Sequence, residues 1–136
     1  MIRSIRRWAL TSIVALATGA CGGAIVTPPT SPTPVPQIEI FSGTLTRNGA
    51  ATHTFTSQAG GTVTASLTNI SPDAVVGLSL GTWNGLACQI VIANDAAVVN
   101  TVVTGTVSAI GNLCVRVYDV GQFTDPTTYE VQVLHP

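Results

Sequence analysis

The sequence predicts an all-β fold, a single antiparallel β-sandwich of jelly-roll or immunoglobulin-like type, and three observations carry that expectation. Past Gln37 the apolar residues recur with period two, in runs rich in Val, Ile and Thr. Gly, Asn, Asp and Pro break these runs at short intervals, as turns do. No stretch shows the spacing of an amphipathic helix. Eight short strands in about 100 residues carry too much apolar surface for one sheet, which would leave a face wet, so two stacked sheets follow. Strand order is left open.

The candidate strands cover 38–46, 52–56, 62–70, 75–83, 88–94, 101–107, 113–119 and 128–134. In "GTVTASLTN" Val63, Ala65 and Leu67 alternate with Thr62, Thr64, Ser66 and Thr68, which predicts an inward apolar row and an outward hydroxyl row. Asn84 and Gly85 form a hairpin signal after Trp83. Ser71-Pro72-Asp73 and Asp125-Pro126 mark further turns. In "VVGLSLGTW" the alternation sets Val76, Leu78, Leu80 and Thr82 on one face, with Ser79 opposite them as a surface hydroxyl between Gly77 and Gly81.

The first 20 residues read as an export signal. Arg3, Arg6 and Arg7 precede a largely apolar run over 8–17, too short to cross about 30 Å of hydrocarbon as a helix, and small residues follow. "ATGAC" resembles the lipobox of bacterial lipoproteins, with Thr18 where that box usually has leucine. The resemblance implies that Cys21 is acylated and becomes the mature N-terminus, and that Gly22 directs the protein to an outer membrane where the cell has one. A multiply acylated terminus holds firmly to a bilayer. An ordinary secretory signal cut nearby is the alternative. Residues 21–37 then form a linker holding five of the eight prolines, an extended spacer rather than packed chain. The sandwich domain is expected over 38–136.

With Cys21 assigned to the lipid, Cys88 and Cys114 remain as an even pair, and a disulfide between them is expected in an oxidising compartment. Closing a loop of that length stabilises the fold by roughly 3.5 kcal/mol on chain-entropy grounds.

Charge excludes several function classes. Only 8% of residues are charged and there is no lysine. Residues 21–136 set two arginines, Arg47 and Arg116, against six carboxylates, Glu39, Asp73, Asp95, Asp119, Asp125 and Glu130, a formal net charge of −4. Nucleic-acid binding needs clustered cations to displace counterions from phosphates, so no nucleic-acid partner is expected. Electrostatic binding to anionic lipid is excluded on the same ground.

"GLSLG", residues 77–81, fits the G-x-S-x-G pattern of serine hydrolases, but a nucleophile elbow needs a strand-to-helix turn in a much longer α/β chain. His53 and His135 are the only possible general bases for such a serine, one inside a strand and one beside the last residue. No catalytic residue and no cofactor are expected. Asp119 and Asp125 flank "VGQFT" and are candidate calcium ligands, with turn formation as the plainer role. Trp83, with Phe123 and Tyr118, is a candidate ligand contact for sugar or peptide, with core packing as the plainer role. Arg116 is expected to pair with a carboxylate on its sheet face.

"SGTLTRNGAATHTFTSQAGGTVTASL" and "IGNLCVRVYDVG" followed by "YEVQV" resemble the bacterial pre-peptidase C-terminal domain, a β-sandwich module of secreted peptidases. The matching positions are Gly43, Phe55, Gly60, Leu67, Gly111, Val115, Val117, Tyr129 and Val131. The acidic residue often found before the second strand and the Asp common in the central strand are missing. The resemblance implies a non-catalytic accessory role. Together these readings predict an exported, lipid-anchored cell-envelope protein whose domain is a structural or protein-interaction module, with carbohydrate or matrix binding as the alternative. The expected partners are the membrane, through the N-terminal lipid, and an envelope or extracellular protein or polysaccharide.

Overall fold

The computed structural model describes residues 27, 28, 30 and 32–136. The signal segment, Cys21 and linker residues 22–26, 29 and 31 lie outside the described residues. Pro32–Pro136 forms one compact unit. Its eight strands are β1 (Gln37–Leu45), β2 (Ala50–Ser57), β3 (Gly61–Ser71), β4 (Val76–Trp83), β5 (Cys88–Ala97), β6 (Val102–Val107), β7 (Gly111–Asp119) and β8 (Thr127–His135).

The strands form two antiparallel four-stranded sheets in the orders β1-β8-β3-β6 and β2-β7-β4-β5. This is the jelly-roll order, which resolves the two topologies that the alternation left open. Only β4 and β5, joined through Asn84 and Gly85, are consecutive strands paired in one sheet. Every other connection arches from one sheet to the other.

The core lies between the sheets. β3 contributes Val63, Ala65 and Leu67, β7 Leu113, Val115 and Val117, and β8 Tyr129, Val131 and Val133, all buried. Each such branched side chain withdrawn from water contributes about 1.5–3 kcal/mol before entropy is counted. In β3 the register against β8 shifts between Leu67 and Asn69. The extra residue, Thr68, donates its hydroxyl to the carbonyl of Glu130 at 3.1 Å and to its carboxylate at 2.8 Å. The bulge resets the alternation, so Ile70 is buried three residues after Leu67.

Two ends can be distinguished. At the entry end lie Gln37, paired with His135, and the loops 58–60, 84–87 and 108–110. At the far end lie the loops 46–49, 72–75, 98–101 and 120–126.

Candidate functional site

The small residues of β4 build an unusual outer face on the second sheet. Ser79 keeps the outer face that alternation predicts but is fully buried at 0% exposure, so it is no surface hydroxyl, and Thr82, on the inward row, is exposed. Two features account for these exposures. Ser79 lies in the middle of a central strand, paired with Arg116 of β7 and Ala93 of β5, and its Oγ faces the Arg116 carbonyl at 3.5 Å. Thr82 keeps its place on the inward row, paired with the core residue Leu113 of β7, and is exposed because it lies at the open edge beside Val91, Gly105 and Thr106.

Gly77 and Gly81 complete the row by leaving room for what covers it. A Cβ at Gly77 would sit 2.1 Å from the Tyr118 ring. Tyr118 lies across this gap and donates its hydroxyl to Asp95, while the Arg116 guanidinium stands 5.5 Å from its ring centroid. Desolvation first, and then the hydrogen bond and charge of Asp95, push the Tyr118 phenol up to about 12, against a smaller opposing pull from Arg116. Arg116 therefore stacks on an aromatic ring and makes no ion pair among the described residues, contrary to the carboxylate partner expected for it. The G-x-S-x-G run is a trough for Tyr118. His53 and His135 lie on inward rows of β2 and β8, away from Ser79.

At Gly81 a Cβ would meet the Gln89 carbonyl oxygen at 2.2 Å and the Ile90 Cα at 3.0 Å, so the start of β5 folds over β4 at that point. This explains the disulfide. β5 and β7 flank β4, and strands so placed lie roughly 9.5 Å apart, yet the Cα atoms of Cys88 and Cys114 are 5.8 Å apart and the two are bonded. The disulfide staples edge strand β5 across β4 to β7.

Beyond that staple β5 carries Ile90, Val91 and Ile92, all exposed, with Val91 at 76%. Gly81 pairs with Ile90 and Leu80 with Ile92, which leaves Val91 as the extra residue of a bulge. β6 is the corresponding edge of the other sheet, and the two edges do not close. Between them lies a cleft of about 80 Å³. Its floor is core, Phe55, Val63, Leu80 and Leu113, and its walls include Val91, Ile92, Gly105 and Val107. A Cβ at Gly105 would meet nothing within 4 Å. Sequence reasoning missed this cleft. The available signal was "QIVIA", where three adjacent branched apolar residues break the alternation of a half-buried strand.

The remaining candidates are dispersed. Phe123 is buried in the core, Tyr118 is engaged with Asp95, and Trp83 is half-buried at the opposite end from both, so no aromatic platform is assembled. Asp119 closes the 120–126 loop: Oδ1 accepts the N–H groups of Gly121, Gln122 and Phe123, at 2.9, 2.9 and 3.2 Å. Its Oδ2 accepts the Asn48 N–H at 2.8 Å. Desolvation acts to raise its pKa, and these four donors outweigh that and lower it. Asp125 accepts the Thr124 hydroxyl at 3.0 Å. Both aspartates are thus turn builders. On the inner side near β1, the His53 Nε2 is 2.6 Å from the Tyr129 hydroxyl and the ring stacks on Phe41 at 4.8 Å. His135 is buried with its Nε2 3.1 Å from Glu39.

No protein family and no curated protein matches the sequence. Solved structures do resemble the fold. PliG of Aeromonas hydrophila, a periplasmic inhibitor of g-type lysozyme, superposes with a TM-score of 0.55 at 15% identity, covering 72% of this chain and 86% of the inhibitor. The Yersinia pseudotuberculosis-derived mitogen superposes with a TM-score of 0.52 at 13% identity, covering 75% of this chain and 88% of the mitogen. At such identities the likeness establishes the sandwich and nothing further.

Proposed function

We propose that this chain is a non-enzymatic, exported and lipid-tethered envelope protein whose sandwich binds another protein along the β5–β6 side. The observation that carries the reading is the uncovered apolar edge around Val91, held in place by the Cys88–Cys114 disulfide and opening onto core side chains. A partner inserting an apolar side chain there would bury it against Phe55, Val63 and Leu113 without prior rearrangement, and preorganisation of this kind lowers the cost of association. Further support comes from the likeness to PliG, from the resemblance to an accessory module of secreted peptidases, and from the lipobox at Cys21. The dispersed aromatics weaken the polysaccharide alternative.

A photo-crosslinking residue at Val91, introduced in the intact envelope of the host, is expected to trap one defined protein. The same residue at Thr46, at the far end, should not trap it. Equal labelling from both positions, or none from Val91, would overturn the protein-binding reading. Purified g-type lysozyme is the first candidate ligand to titrate. Mass spectrometry of the mature N-terminus tests acylation of Cys21.

A further inference from the structure

The two ends of the sandwich differ in charge. The far-end loops carry Arg47, Asp73 and Asp125, with Asp95 and Asp119 close to them on the strands. The entry-end loops read Gln-Ala-Gly, Asn-Gly-Leu-Ala and Ser-Ala-Ile and contain no ionisable group. The nearest carboxylate to that end is Glu39, which is held by His135. The chain also enters here. Residues 32–36 lead into β1, and Thr33, Pro34 and Pro36 line a shallow hollow with Gly60, Thr62 and Leu134.

Two apolar side chains stand out from the loops of this end, Leu86 at 91% exposure and Ile110 at 69%, beside Val35 at 77% on the entering segment. Leu86 is held outward by its turn. The Asn84 Oδ1 accepts the N–H groups of Leu86 and Ala87, at 2.9 and 2.8 Å, and the Asn84 N–H donates to the Ala87 carbonyl. Cys88 of the disulfide follows immediately. Single exposed apolar residues are common on proteins. Fixed apolar tips on loops without an ionisable side chain are a different matter, because those loops offer little resistance to desolvation at a hydrocarbon boundary, and the nearby Glu39 is paired with His135.

We propose that the entry end docks on a lipid surface, with Leu86 and Ile110 entering the boundary between headgroups and acyl chains and the charged far end turned to water. The surface that fits is zwitterionic, since a domain with two arginines against six carboxylates is repelled by anionic lipid. This contact is made by the tips of the entry-end loops, and the proposed protein contact by the β5–β6 edge that adjoins them. From the proposed tether it takes only the nearness of a bilayer.

Trp83 sits at the base of the 84–87 turn and reports on the contact. The full chain with Trp8→Phe has Trp83 as its sole tryptophan. With phosphatidylcholine vesicles bearing brominated acyl chains, Trp83 emission is expected to shift to the blue and be quenched. Leu86→Asp with Ile110→Asp should raise the lipid concentration for half-maximal quenching by about tenfold or more. Val98→Asp at the far end, where that side chain is 48% exposed, should leave the titration unchanged. Mixing in phosphatidylglycerol should weaken it.

Absence of quenching, equal quenching in the double variant, or strengthening by phosphatidylglycerol would each overturn the proposal. Equal quenching would mean that the N-terminal segment alone brings the domain to the vesicle. An unmodified Cys21 or a failed crosslink at Val91 would sink the tether or the protein partner and leave this result standing.

Discussion

Gly77 and Gly81 occupy the same row of β4, yet a methyl group at each would meet different things. At Gly77 it meets the Tyr118 ring, a side chain that can swing away, and at Gly81 it meets the backbone of Gln89 and Ile90. Gly77→Ala is therefore expected to cost about 1–2 kcal/mol and Gly81→Ala about 3 kcal/mol in urea unfolding. Gly77→Ala should also displace Tyr118 from Asp95, so that its ultraviolet titration falls from about 12 towards 10. His53 supplies a pH-dependent test. Burial lowers its pKa from 6.5, so between its folded-state pKa and 6.5 the unfolded chain binds more protons than the folded one. Stability should rise with pH across that window and be lost as pH falls through it. His53→Gln, which keeps a polar group facing Tyr129, should flatten that slope. Since His135 is present in both proteins, the difference between their stability curves isolates His53, whose Cε1 proton should titrate below 6.5.

At the scale of the element, β5 depends on its staple. It pairs with β4 alone, carries bulges, and exposes three successive branched side chains. Replacing both Cys88 and Cys114 by serine is expected to cost about 3.5 kcal/mol, the loop-closure contribution of a bridge spanning 26 positions. Amide exchange should rise first in β5 and much less in β7, which keeps β2 and β4 on either side; uniform acceleration would mean that the bridge holds no particular element. The strands themselves were readable from the sequence, because period two and turn chemistry act locally. Val63, Ala65 and Leu67 point inward as their alternation predicts. What alternation could not predict were the bulges, since an extra residue is set by how a distant strand pairs. For that reason the Val91 cleft went unseen, while the burial of Ser79 was hidden because Tyr118 and the start of β5 cover its row from other strands. The even cysteine pair was legible. Its crossing of β4 was not, because it rests on a carbonyl group occupying the space above Gly81.

For the whole molecule, strand order governs how the ends of the domain relate. Gln37 pairs with His135 and Leu45 with Thr127, so the first and last strands are hydrogen-bonded neighbours along their full length. The two chain termini of the sandwich thus meet at the entry end, where a short glycine-rich linker can join Pro136 to Gln37 without disturbing either sheet. New termini are best placed between Gly85 and Leu86. That turn is exposed, it joins the sole consecutive pair within a sheet, and the disulfide holds β5 once the turn is open. Such a circular permutant is expected to unfold in one cooperative thermal transition and to retain the near-ultraviolet dichroism of the parent. With both cysteines also changed to serine, it should lose more stability than the unpermuted chain loses by the same change, because β5 then begins as a free end beside β4. A permutant that fails to fold with its disulfide intact would contradict the pairing of β1 with β8, on which the jelly-roll order and the common location of the entry-end loops both depend.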